Sequence, residues 1–207
     1  PFVAIASTLR DHGFAAPIIH SADLDAGFLL IENLGPEGIL DADGHPIADR
    51  YRAAAETLAV MHRQEWSGSI ELAGCEPYHV PAYDRGAMGI ETELLIDWYL
   101  PYAAGRAATS GERTAILECW GRLFDRLVEA EKGIVLRDYH SPNIIWRGDM
   151  TGTDRIGIID FQDALMGPVA YDVASLAMDA RVTITEELEA DIVDAYLARR
   201  IDNEFDR

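Results

Sequence analysis

The chain has 207 residues, 49% of them hydrophobic and 26% charged, enough to bury one substantial core and a smaller second one. Its formal net charge of -19 argues against a nucleic-acid partner, which needs a concentrated basic surface; a diffuse negative field serves solubility first and could also draw in a cationic substrate. No run of about eighteen apolar residues suits a membrane span, and Pro1-Phe2-Val3-Ala4-Ile5-Ala6 lacks the basic start of a signal peptide, so the sequence reads as cytoplasmic, with no membrane partner.

Phe2 to Gly13 carries apolar residues at helical spacing and closes on a glycine, a helix with its C-terminal stop. Two apolar runs, Pro17–His20 and Phe28–Leu34, flank the turn-prone Ser21–Gly27 and predict antiparallel strands. Gly35-Pro36-Glu37-Gly38 then breaks the second strand and marks a hinge. Helices are expected over Ala48–Glu65, Glu91–Tyr102 and Gly111–Lys132. The pattern next shifts to short β-rich runs, Ile134–Leu136, Ile144–Trp146 and Ile156–Ile159, before two closing helices over Tyr171–Arg181 and Thr185–Arg200. This order is α+β: a mainly helical body with small β-hairpins, not alternating βαβ units. Cys75 and Cys119 stand far apart without neighbouring ligand residues, which indicates neither a disulfide framework nor a zinc site and leaves packing as the expected role.

The chemistry concentrates in Leu136-Arg137-Asp138-Tyr139-His140-Ser141-Pro142-Asn143 and, after two short strands, Ile158-Ile159-Asp160-Phe161. Phosphoryl transfer needs a carboxylate to orient and deprotonate an acceptor hydroxyl, and oxygen ligands for the magnesium that neutralises the phosphates. Asp138 fits the base, Asn143 and Asp160 the metal ligands. Each alone could be a turn former, since Asp and Asn favour hairpin turns; their order, spacing and flanking strands are what point to a site. His140 either touches substrate or braces the turn. Asp163 is either substrate-facing or a capping residue. Asp97 and Trp98, with Tyr99, are either acceptor-lining or core, and core is the commoner fate of an aromatic pair on a helix.

This loop resembles the catalytic loop of the aminoglycoside phosphotransferase and choline kinase superfamily, distant relatives of protein kinases. The resemblance runs through nearly the whole chain. Glu32-Asn33-Leu34-Gly35 is similar to the hinge between lobes, implying that Glu32, Asn33 and Leu34 meet the adenine of ATP. Met61-His62 matches the position before a substrate-facing insertion. Gly167-Pro168-Val169-Ala170-Tyr171-Asp172 resembles the family's buried helix start, whose Asp braces the catalytic loop. The longer match, adding Asp160-Phe161-Gln162-Asp163-Ala164, is most similar to bacterial kinases acting on the anomeric hydroxyl of N-acetylmuramate and N-acetylglucosamine.

What the resemblance implies is a protein-kinase-like fold, with residues 1–35 a remnant of the nucleotide-binding lobe and hinge and residues 36–207 the helical catalytic lobe. The implied activity is ATP- and magnesium-dependent transfer of phosphate to a hydroxyl of an amino sugar; the alternatives are an aminoglycoside or other small-alcohol kinase, or a non-catalytic pseudokinase-like module. Asp97, Trp98, His140 and Asp163 are carried as acceptor-binding candidates. Two departures stand out. Leu136 occupies the position where many relatives carry His. The family's phosphate-covering loop and its lysine are not found, Lys132 being the single lysine, so an incomplete N-terminal lobe is expected.

Overall fold

A computed structural model describes residues 1–201. Helix α1, Phe2–Asp11, buries Ala4, Ile5, Ala6 and Leu9 on one face and stops where Gly13 takes a positive φ of 82°. The chain then runs as an isolated bridge beside the later hairpin, with Ala15 paired to Gly157. Strands β1 (Ile19–Asp23) and β2 (Phe28–Ile31) form an antiparallel pair with an irregularity between Ile19 and Ser21. Its apolar side chains face outward: Phe28 is 72% and Leu30 63% exposed.

Helix α2, Ala48–Met61, is the axis of the body; Tyr51, Ala54, Ala55, Thr57, Leu58, Ala59 and Met61 are buried, and it packs along α7, Glu186–Ile201. Truncating a side chain as enclosed as Leu58 would cost about 2–5 kcal/mol. Two-residue strands β3 (Ser69–Ile70) and β4 (Tyr78–His79) follow, a pair too short for the sequence to announce.

The expected helix over Glu91–Tyr102 begins earlier and is not regular. Helix α3 spans Arg85–Leu94, capped by the Asp84 side chain; a π-helical turn occupies Leu95–Tyr99, and α4 spans Leu100–Ala104. Such a widened turn shifts every following side chain around the axis, and the aromatic pair is not core: Trp98 is 74% and Tyr99 61% exposed. Helix α5, Ser110–Arg126, opens on a capping box between Thr109 and Glu112. It ends six residues short of Lys132, because Lys132–Val135 is strand β5. Both cysteines are exposed, so neither packs the core as expected.

Strand β5 pairs antiparallel with β8, Leu165–Pro168, while β6 (Ile144–Trp146) pairs with β7 (Ile156–Ile158). The loop that carries Asp138 therefore links two different ladders. Helix α6, Ala170–Ala177, follows β8 directly. The main core gathers α1, α2, β6, β7, α6 and α7; a second, smaller one joins Tyr83, Met88 and Val135 to Phe124, Leu127, Leu165 and Tyr171.

Candidate active site

The loop from β5 to β6 is clamped by two buried carboxylates reached through α6. Asp172, fully enclosed in the first turn of α6, accepts the main-chain N–H of Leu136 at 2.7 Å and of Arg137 at 2.9 Å. Asp179, just beyond α6, accepts the N–H of Ser141 at 2.8 Å, of Arg181 at 3.0 Å and the Tyr51 hydroxyl at 3.0 Å. Burial pushes the Asp179 carboxyl up, but these donors outweigh it and the group sits below its ordinary value. Between the clamps Tyr139 plugs the core and donates its hydroxyl to the Ala54 carbonyl at 3.0 Å. On the far side of Asp172, the buried His62 ring lies 3.9 Å away and meets the Tyr196 hydroxyl at 3.0 Å.

Within this frame Asn143 is the joint. Its side-chain amide donates to the Asp138 carbonyl at 3.0 Å and to the Asp160 carboxylate at 3.4 Å, and its own carbonyl accepts the Ile159 N–H at 3.1 Å. Asp138 keeps its carboxylate half exposed, with His140 Nε2 3.3 Å away. His140 is otherwise buried, an arrangement suited to bracing. Asp160 follows β7, is exposed, and takes the Gln162 side-chain amide at 2.7 Å. Arg137 and Asp160 have φ of 70° and 59°, the two non-glycine residues in the left-handed region among the described residues. Such backbone persists only where surroundings over-determine it, and it clusters at working sites.

The remaining candidates are more dispersed. Glu32 accepts the Ile18 N–H at 3.1 Å, and its own N–H is committed to the Ile18 carbonyl at 2.8 Å. Asn33 folds its side chain onto the Gly35 N–H at 2.9 Å, and Leu34 is buried, close to Gly157. Asp163 is exposed in the turn closed by Ala164 N–H to the Phe161 carbonyl. Asp97 pairs with Arg113 of α5; no described hydrogen bond joins Asp97 or Trp98 to the catalytic loop.

Sequence reasoning missed Glu91. From α3 it accepts the Arg137 guanidinium at 2.7 Å, the Tyr83 hydroxyl at 2.6 Å and the Tyr171 hydroxyl at 3.2 Å. Burial, then the bond to Glu91, raises the Tyr83 phenol far above its usual range.

The description of the phosphotransferase enzyme family (APH) matches residues 1–207. The chain belongs to that family. It is 36% identical over 191 residues to the N-acetylmuramate/N-acetylglucosamine kinase of Pseudomonas aeruginosa, covering 90% of this chain and 51% of that protein. It is 32% identical over 205 residues to the enzyme of the same name from Caulobacter vibrioides, covering 96% and 55%. The chain thus spans about half the length of the curated relatives it matches. The fold is shared with the gentamicin complex of the aminoglycoside phosphotransferase APH(2")-IIa, at a TM-score of 0.60 and 15% identity over 98% of this chain and 68% of that one. It is shared also with a choline/ethanolamine kinase family protein from Mesorhizobium loti, at 0.58 and 14% over 95% and 60%. The fold is therefore protein-kinase-like, as the sequence implied. Among the described residues no helix is long and apolar enough to cross a membrane.

Proposed function

We propose that the full-length protein transfers the terminal phosphate of ATP to a hydroxyl of an amino sugar of the N-acetylmuramate or N-acetylglucosamine kind. The observation that carries this is the Asn143 amide spanning the Asp138 main chain and the Asp160 carboxylate, between two residues held at positive φ. In this reading Asp138 orients the acceptor hydroxyl and takes its proton. The acceptor oxygen forms the new bond to phosphorus as the bond to the departing ADP oxygen breaks. Asp138 has the exposure to meet a substrate and the bracing, through His140 and the two clamps, to meet it in one orientation.

Asn143 and Asp160 are neighbours, joined through the amide nitrogen, and together their side chains carry amide and carboxylate oxygens, the hard donor set that magnesium prefers. When bound there, magnesium would neutralise charge on the phosphates. Residues 1–35 are assigned to the nucleotide-binding lobe and hinge, and 36–207 to the catalytic lobe. Because the Glu32 amide is already taken by Ile18, the main chain of Asn33 and Leu34 is left to meet adenine. Trp98, Asp97 and Asp163, all exposed, are assigned to the acceptor side.

The sugar assignment is supported by the 32–36% identity to relatives named for it, whereas likeness to aminoglycoside enzymes is 15–19% and carries the fold alone. The test is phosphate transfer by the full-length protein, with ATP and magnesium, to N-acetylmuramate, N-acetylglucosamine and kanamycin. Transfer to the two sugars and not to kanamycin is expected; preference for kanamycin would overturn the acceptor, and no transfer to any hydroxyl would overturn the kinase.

A further inference from the structure

Within the insertion between α2 and β5, Ile70, Val80, Tyr83 and Ile96 are buried, but α3 and α5 themselves have little apolar anchorage. Met88 is the buried residue of α3, and α5 buries none completely. Between them and the start of α6 lies a cavity of about 500 Å³ lined by Met88, Leu95, Phe124, Leu127, Pro168 and Tyr171. Part of the inner face of α3 therefore borders this cavity and not packed side chains.

The seating is polar. One carboxylate, Glu91, collects Arg137 from the catalytic loop on one oxygen and Tyr83 and Tyr171 on the other. The two tyrosine rings stand edge to face with centroids 5.1 Å apart. Arg137 directly precedes Asp138. Its main-chain N–H is held by Asp172, its φ is 70°, and its side chain is held by Glu91. Fixing a residue at both its backbone and its side-chain end leaves little freedom in where the next carboxylate points. Asp138 is already among the charges that act on the Arg137 guanidinium, so a guanidinium released from Glu91 would be free to pair with the carboxylate an acceptor needs.

We propose that Glu91 is a positioning residue for Asp138: it holds Arg137 away from Asp138 and ties the placement of the insertion to that of the general base. This rests on the kinase reading above. In the full-length enzyme with ATP and N-acetylmuramate, Glu91→Gln is expected to lower kcat roughly 10- to 100-fold, the scale of a misplaced catalytic group, while KM for ATP stays near the wild-type value. Combining Glu91→Gln with Arg137→Gln should cost no more than the larger single loss, because both remove one interaction. Met88→Ala loosens the same interface without touching the ion pair and should retain kcat. Additive losses, or an equal fall in kcat from Met88→Ala, would overturn the proposal. Amide hydrogen exchange supplies a readout independent of activity: Glu91→Gln should speed exchange at residues 136–141 and leave α2 unchanged. Unchanged exchange in the loop would also overturn it. A wild-type protein without transferase activity would defeat the kinase reading and leave exchange to decide whether Glu91 holds the loop.

Discussion

Asp160 and Asp138 are tied to the same Asn143 amide, yet their surroundings differ: Asp160 is exposed after β7, beside Gln162, while Asp138 stands in the clamped loop against His140. A metal role for the first and an acceptor role for the second give separable outcomes. Asp160→Ala should weaken magnesium-dependent nucleotide binding, measured calorimetrically, more than it weakens sugar binding; equal losses would count against the assignment. Asp179 offers a test that involves no substrate. Its folded pKa lies below the ordinary value of 3.8, so its contribution to stability is fully present above that value and is lost as pH falls through the lower folded one. Urea unfolding should therefore show a gap between wild type and Asp179→Asn near neutral pH that narrows as the pH is taken below 3.8; a constant gap would remove Asp179 from that linkage. The meeting of Asp138, Asn143 and Asp160 was legible because they lie within one short stretch whose spacing is itself a signal. Glu91 and Asp179 were not: Glu91 meets Arg137 across 46 positions and Asp179 meets Tyr51 across 128, and no local pattern marks such pairs.

Strand β8 shows how an element can be hidden by its own composition. Leu165-Met166-Gly167-Pro168 was not among the expected strands, and its Gly167 stands where the chain before α3 crosses close by: a Cβ on Gly167 would lie 2.5 Å from the Cβ of Tyr83. Gly167→Ala should therefore destabilise the protein by about 1–3 kcal/mol, the usual cost of overpacking, and chemical denaturation would measure it. A neutral effect would mean that Tyr83 yields freely. Proline closes the strand at its end, where it pairs with Lys132. The insertion was misjudged for a different reason. Periodicity over Glu91–Tyr102 suggested one helix with its aromatics inward, but the π-helical turn at Leu95–Tyr99 breaks the period and leaves Trp98, Tyr99 and Tyr102 outward. Helices α1, α2 and α7, by contrast, bury continuous stripes or pack along one another, and their extents were readable to within a few residues.

Taken together, the described residues form one large core that fixes the catalytic loop from behind and a thin second core that carries the insertion beside it. Under the proposed function, the clamped loop would supply the fixed position that phosphoryl transfer requires, since that chemistry depends on alignment and charge neutralisation more than on covalent steps. The exposed apolar face of β1 and β2 and the acidic surface stand outside this frame and do not enter the account of the base. The central claim is that Asp138, held by the Asp172 and Asp179 clamps, is the group that takes the acceptor proton. The most direct measurement is the turnover of Asp138→Asn in the full-length enzyme, with ATP, magnesium and N-acetylmuramate, alongside circular dichroism to confirm that the variant folds. A fall of roughly 10²-fold or more in kcat with folding intact is expected for loss of a positioned general base; turnover close to wild type would contradict it.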